Sequence, residues 1–275
     1  MIPPHPHTTA FHEFEYDGWQ RASDDYHRYF GSLTTQAITP LLDAVATGPK
    51  TNLLDIATGP GYVAAEAKLQ GWLPVGIDFS ESMVAMAQKL HPDIDFRIGD
   101  AESLLLGDAE FGAAVMNFGI LHLGQPEIAI GEAYRVLGTN GRFGFTVWTG
   151  PQETVGFDIV LRAVESFGDP NVGLPAGPPF FRFSDRQECV RVLERGGFTG
   201  VQITQIPLIW KLASAHELFE AFYRGSARTG GLLRAQSASA LAKVRDAIEK
   251  NVSQYSRPGH LEIPMPVLVV SASKP

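Results

Sequence analysis

The chain has 275 residues, with 30 Asp+Glu against 22 Lys+Arg and a net charge of −8. No Lys/Arg cluster offers a stripe that tracks phosphates, which argues against nucleic acid and anionic membranes as partners. A lone cysteine, Cys189, set among helix-patterned residues, excludes an internal disulfide framework, and no apolar run approaches a membrane span.

The opening Met-Ile-Pro-Pro-His-Pro-His has neither the basic nor the apolar region of a leader, so the expectation is a cytoplasmic protein with its first ten residues frayed. From about Glu13 to Ala46 the spacing of Tyr26, Tyr29, Phe30 and Leu33 predicts helix, with Pro40 starting a second one and Gly48-Pro49 ending the segment. Strand-like and helical runs then alternate: strand 52–56, helix 62–70, strand 74–77, helix 81–90, strand 95–98, strand 113–118, helix 126–137 and strand 142–148. Such alternation with short connections predicts a parallel sheet covered by helices on both faces, an α/β fold. Beyond it a helix over 155–167 leads into a Gly/Pro-rich loop, 168–181, followed by an amphipathic helix over 185–196. Strands are expected at 201–206 and 267–271, with two helices, 215–228 and 238–255, between them. The organisation expected is an N-terminal helical segment (1–47) closing a site, a core (48–150), and a remainder (151–275) completing the sheet, with cap insertions at 151–183 and 209–262.

Residues 53–63, Leu-Leu-Asp-Ile-Ala-Thr-Gly-Pro-Gly-Tyr-Val, are an apolar strand ending in a carboxylate and breaking into a Gly-x-Gly turn before a helix. The glycines let backbone approach a ligand at the carboxyl end of a parallel strand. Gly59-x-Gly61-x-x-Ala64 also passes as a dinucleotide fingerprint, so the turn alone is weak. Asp55 favours a ligand bearing an ammonium and a sulfonium, S-adenosylmethionine, over a pyrophosphate. Val75-Gly76-Ile77-Asp78 then ends a strand with a carboxylate able to accept from a ribose diol. Ile98-Gly99-Asp100-Ala101-Glu102 ends another where an adenine edge would lie, and Val115-Met116-Asn117-Phe118-Gly119 closes a fourth near the methionine part. Each carboxylate alone is equally a helix cap, and Ser80 before Glu81 reads as one; three at successive strand ends favour the cofactor.

These segments, with Gly76-Ile77-Asp78-Phe79-Ser80 and Met83, and Glu132-Ala133-Tyr134-Arg135-Val136-Leu137 followed by Gly141, resemble the class I S-adenosylmethionine-dependent methyltransferases, within them the ubiquinone/menaquinone biosynthesis C-methyltransferase group. The resemblance covers about residues 50–150. It implies a Rossmann-like, mostly parallel seven-stranded sheet whose last strand runs antiparallel. It implies Asp55, Ala57, Gly59 and Gly61 around the methionine moiety, Asp78 on the ribose, Phe79 beside the adenine with Met83 nearby, Asp100, Ala101 and Glu102 at its edge, and Asn117 and Phe118 near the sulfonium. Ala57 stands where Gly is commoner.

Methyl transfer requires alignment and exclusion of water, and no metal set is evident, with neither HxxxH nor CxxC present. His122, just past the fourth strand, is the candidate base; a structural histidine is the alternative, and Tyr223, Arg224, His216 and His260 are weaker candidates. Trp148, Phe180, Phe181, Arg182 and Tyr223 are the candidate acceptor contacts, although most cap aromatics, Trp210, Phe219 and Phe222 included, are expected in the core and Arg182 on the surface. Tyr29, with Trp19 and Tyr26, is expected to close over the sulfonium or to pack within its helix. The reading is methyl transfer to O, C or N of a small apolar or aromatic acceptor by a monomer or homodimer. An NAD-dependent oxidoreductase and a non-catalytic S-adenosylmethionine-binding module are the alternatives.

Overall fold

The computed structural model describes residues 9–46 and 50–275. The Gly48-Pro49 break, the 47/48 boundary and residues 1–8, where fraying is the expectation, lie outside the described residues. The first helix, α1 (Ala10–Tyr29), nevertheless begins three residues before the expected start, because the Thr9 hydroxyl accepts from the His12 N–H at 3.2 Å and caps it. A short α2 (Gly31–Thr34) and a 3-10 turn lead to α3 (Ile38–Val45), which starts two residues before Pro40. Pro40 thus sits in the first turn, where a missing N–H costs no helical bond.

The strands are β1 (Asn52–Ile56), β2 (Leu73–Asp78), β3 (Asp95–Ile98), β4 (Phe111–Asn117), β5 (Leu137–Trp148), β6 (Thr199–Ile206) and, after a small sheet, β10 (Val267–Ser273). They form one seven-stranded sheet in the order β3-β2-β1-β4-β5-β10-β6, with β10 antiparallel to both neighbours. The expected fold class is therefore the one observed. Leu53, Leu54 and Ile56 of β1 are buried, as a strand covered on both faces requires.

The covering helices are α4 (Tyr62–Leu69), α5 (Glu81–Leu90), α6 (Pro126–Val136) and α8 (Arg186–Arg195). Leu41, Leu42 and Val45 of α3 and Val63 and Ala67 of α4 pack with Leu53, Ala113 and Val115 on one face. Ala129, Ile130 and Ala133 of α6 and Cys189 and Leu193 of α8 belong to the large core with Phe143 and Phe145.

The remaining elements depart most from expectation. Helix α7 (Val155–Phe167) packs on α11 (Ala238–Val252), and the helix expected over 215–228 is two, α9 (Ala215–Gly225) and α10 (Arg228–Arg234). The break falls at extended Ser226, whose hydroxyl accepts from the Gly230 N–H at 2.9 Å. A three-stranded sheet of β7 (Ile209–Leu212), β8 (Ser256–Arg257) and β9 (His260–Pro264) was not expected, since strands of two to five residues carry almost no periodic signal. Helix α1 packs against both α9 and α5. The Trp210 indole of β7, fully buried, donates to the Tyr29 carbonyl at 2.9 Å and lies 4.6 Å from the Phe30 ring. Among the described residues no helix is long and apolar enough to cross a membrane.

Candidate active site

Strand order reverses between β1 and β4, and there, beyond the strand ends, a cleft with an open volume of about 920 Å³ lies. Its floor is Ala57–Pro60 after β1; its walls are Asp78, Phe79 and Met83 after β2, Gly99–Glu102 after β3, and Asn117–Gly119 with His122 after β4. Of the expected cofactor residues, Ala57, Gly59, Asp78, Phe79, Met83, Asp100, Ala101, Glu102, Asn117 and Phe118 are brought together on this lining.

Three expected residues are not on it. Asp55 is fully buried behind the turn, its Oδ2 accepting from the Thr58 hydroxyl at 2.5 Å and the Ala64 N–H at 3.1 Å. It ties the turn to the start of α4, and its Oδ1 has no hydrogen-bond partner among the described residues. Burial pushes its carboxyl up to about 7, against the pull of those two donors. Gly61 has φ +81°, and a Cβ there would meet the Phe96 ring at 2.5 Å, so it serves helix–sheet packing. Gly59, at φ +52°, is the glycine that faces open space. Tyr29 packs away from the cleft, with Arg28 over its ring at 5.0 Å.

The Asp78 carboxylate is fixed by two backbone donors, Gly59 N–H to Oδ2 and Ser80 N–H to Oδ1, each at 2.9 Å. Its oxygens retain lone pairs for a further donor. Burial raises it to about 6, opposed first by those N–H groups. Asp100 Oδ1 accepts from the Glu102 N–H at 2.8 Å and Oδ2 meets His12 Nε2 at 3.0 Å, which raises the His12 pKa above its ordinary value.

Helix α1 closes the cleft with residues that sequence reasoning partly missed. His12, Trp19 and Tyr26 recur every seven residues, two helical turns, and so form one line along α1 that faces the cleft. That spacing was the available signal for His12; Tyr29 lies off the line. Glu15, also overlooked, is buried and meets His122 Nδ1 at 3.0 Å through Oε2. Thr58, Pro60, Tyr62, Val63, Gly99, Gly119 and Leu123 complete the lining.

A second, smaller cavity adjoins the cleft and shares Trp19, Tyr26, Phe118 and His122 with it. Trp148, Phe157, Phe180 and Arg228 form its far side. Phe118, at φ +59°, stacks on Trp148 with centroids 4.2 Å apart, and its N–H donates to the Thr146 hydroxyl at 2.9 Å. Tyr26 donates to the Thr34 hydroxyl at 3.2 Å, and burial pushes its phenol up to about 12, so it stays neutral.

Of the expected acceptor contacts, Trp148 and Phe180 line this chamber, and Phe181, Arg182 and Tyr223 do not. Phe181 packs edge-on against Phe157 at 5.5 Å and Phe180 at 5.0 Å, supporting the wall from behind. Arg182 is engaged by Glu127 and Glu188. Tyr223 stacks on Phe219 with centroids 5.3 Å apart. Trp210, Phe219 and Phe222 are buried in the core, where most cap aromatics were expected.

Residues 54–145 match the family described as "Methyltransferase domain". The demethylmenaquinone methyltransferase of Renibacterium salmoninarum is 30% identical over 140 residues, which cover 50% of this chain and 59% of that protein. The ubiquinone/menaquinone biosynthesis C-methyltransferase of Methylobacterium nodulans is 36% identical over 129 residues, 44% of this chain and 49% of the relative. The chain thus matches these curated relatives over roughly half of their length. In fold it is similar to the YcgJ protein of Bacillus subtilis, with a TM-score of 0.58 and 16% identity over 87% of this chain and 98% of that one. Over residues 54–145 the chain thus matches a methyltransferase domain, and that part of it is similar to the demethylmenaquinone and ubiquinone/menaquinone biosynthesis C-methyltransferases.

Proposed function

We propose that the chain transfers a methyl group from S-adenosylmethionine to a small aromatic or enol-type acceptor seated in the Trp148/Phe180 chamber. The observation that carries this reading is the junction of two cavities at Trp19, Tyr26, Phe118 and His122. The cleft residues suit the cofactor on their own chemistry: Gly59 faces open space, Asp78 has preset oxygens with spare lone pairs, and Asp55 has an orphaned oxygen beneath the turn. When bound, S-adenosylmethionine supplies an electrophilic methyl whose S–C electron pair stays on sulfur as the acceptor atom takes the carbon.

The residues of the chain then have distinct tasks. Asp78 accepts from the ribose hydroxyls, Phe79 flanks the adenine and Asp100–Glu102 border its edge. Trp19 and Tyr26 present electron-rich faces toward the sulfonium and exclude water. The aromatic chamber walls select a planar, apolar acceptor. His122 takes the acceptor's hydroxyl proton as the new bond forms, at oxygen or at a conjugated carbon. The names of the curated relatives, which include demethylmenaquinone methyltransferases, fit a quinol-like acceptor. Helix α1 and the elements α7 and α9–α11 act as the cap that closes over both ligands.

The test is to incubate the protein with methyl-labelled S-adenosylmethionine and a panel of phenols, hydroquinones and enols. Label in an organic product with stoichiometric S-adenosylhomocysteine supports the reading. Cofactor binding without transfer to any member of the panel or to a cell extract would favour a non-catalytic binding module.

A further inference from the structure

Glu15 is a carboxylate with no exposed surface, carried by α1 and facing a loop more than a hundred residues away. Its Oε2 accepts from the Trp19 indole N–H at 3.2 Å and meets His122 Nδ1 at 3.0 Å. Its Oε1 has no hydrogen-bond partner among the described residues, and Arg228 Nε lies 3.8 Å from it. Arg228 is itself held in place, its guanidinium over the faces of Phe11 at 5.0 Å and Phe180 at 5.5 Å, with Nη1 donating to the Pro178 carbonyl at 3.0 Å. A buried charge pair of this kind is a poor source of stability compared with apolar side chains of the same size. Its geometry is directed at His122 instead.

An imidazole has two tautomers, and the partner of one nitrogen decides which nitrogen is bare. Because Glu15 Oε2 is already the acceptor for Trp19, it offers His122 an acceptor as well, and Nδ1 is the nitrogen that carries hydrogen. The Trp19 ring stands edge-on to the imidazole, with centroids 4.8 Å apart at 89°, and blocks rotation of the ring. Nε2 then has no protein partner among the described residues, on a side chain that lines both cavities.

We propose that Glu15 is a positioning residue that locks His122 in the Nδ1–H form, with Arg228 as its counter-charge, so that Nε2 is the bare base facing the acceptor. This inference rests on the methyl-transfer reading only for the proton that Nε2 takes, from the acceptor hydroxyl to give an imidazolium. A consequence is that the base is assembled by docking of α1, which brings both Glu15 and Trp19 and is therefore part of the catalytic machinery as well as a cover.

Long-range proton–nitrogen NMR of histidine-labelled protein with S-adenosylhomocysteine at pH 8 tests it, with His122→Asn to assign the signal. Wild type is expected to show hydrogen on Nδ1. Glu15→Gln keeps that form, because the amide oxygen must still face the Trp19 donor, whereas Glu15→Leu moves the hydrogen to Nε2. Turnover of Glu15→Leu falls by about 10²-fold or more in kcat with KM nearly unchanged, and that of Glu15→Gln by about tenfold. Hydrogen on Nε2 in wild type, or a Glu15→Leu spectrum like that of wild type, overturns the proposal. The wild-type spectrum decides even if Glu15→Leu fails to fold, and Glu15→Leu with Arg228→Leu removes the unpaired cation. Calorimetry with S-adenosylhomocysteine on the same samples tests the methyl-transfer reading separately: no binding removes that reading and leaves the tautomer result legible.

Discussion

Asp78 and Asp55 are both strand-end carboxylates, yet they stand in different relations to the cleft, and the difference is measurable. Asp78 lines it and is raised to about 6 by burial, so the free protein holds a proton there below that pH. The ionised form accepts from the two ribose hydroxyls more strongly than the protonated form does, so binding favours ionisation and releases the proton. S-adenosylhomocysteine affinity is expected to climb between pH 5 and 7 and level off above, with proton release at pH 6 visible by calorimetry in two buffers of different ionisation enthalpy; a flat profile removes Asp78 from the ribose. The two glycines also separate. Gly59→Ala places a Cβ in open space beside Asp78 and is expected to weaken binding, while Gly61→Ala drives a Cβ into Phe96 and is expected to lower the melting temperature instead. At this scale the sequence was readable where a residue ended a strand, since position along the chain then gives position at the cleft. Glu15 was not, because its partner His122 meets it only through the docking of α1, and for His12 the seven-residue spacing to Trp19 gave the face of the helix but not the partner Asp100.

Most elements of the central sheet were legible to within a few residues, because a buried strand reads as an apolar run between turn signals and its covering helix as a 3.6-residue period. Strand β5, however, begins at Leu137, five residues before the expected 142. The small sheet and the α9/α10 break had no such signal, and their place in the cap is set by contacts with α1 and Trp210. The Gly/Pro-rich loop over 168–181 belongs to the expected cap insertion 151–183. Its ends are tied down: Gln236 Oε1 accepts from the Asp169 N–H at 2.7 Å, and Arg228 donates to Pro178. The segment nevertheless delivers Phe180 to the chamber while Phe181 braces it. Phe180→Ala is thus expected to change acceptor KM or kcat about tenfold or more with S-adenosylhomocysteine affinity unchanged. Phe181→Ala is expected to cost about 1–3 kcal/mol of stability with a smaller kinetic effect. The reverse order in steady-state kinetics and urea denaturation would mean that the chamber wall is misassigned.

For the molecule as a whole, the buried site residues make stability fall as pH rises. Asp55 and Asp78 have folded values near 7 and 6, above the ordinary 3.8, so the folded chain binds their protons more tightly and loses that advantage as pH climbs through those values. His12, raised by Asp100, acts in the same direction, its contribution being present at low pH and lost as it deprotonates. Urea unfolding is expected to show wild type losing more stability between pH 5 and pH 8 than Asp55→Asn does; equal losses would mean that Asp55 does not titrate in this range. Ligand binding works against this trend, since filling the cleft stabilises the folded chain.

The central claim is that the cleft at the ends of β1–β4 holds S-adenosylmethionine through Asp78. Isothermal titration of S-adenosylhomocysteine into wild type and Asp78→Ala at pH 8 tests it most directly. The expected result is one site in wild type and a loss of about 2–4 kcal/mol in the folded variant, as removal of charged acceptors from two hydroxyls requires. Equal affinities in the two proteins, or NAD bound in preference to S-adenosylhomocysteine, would contradict the account.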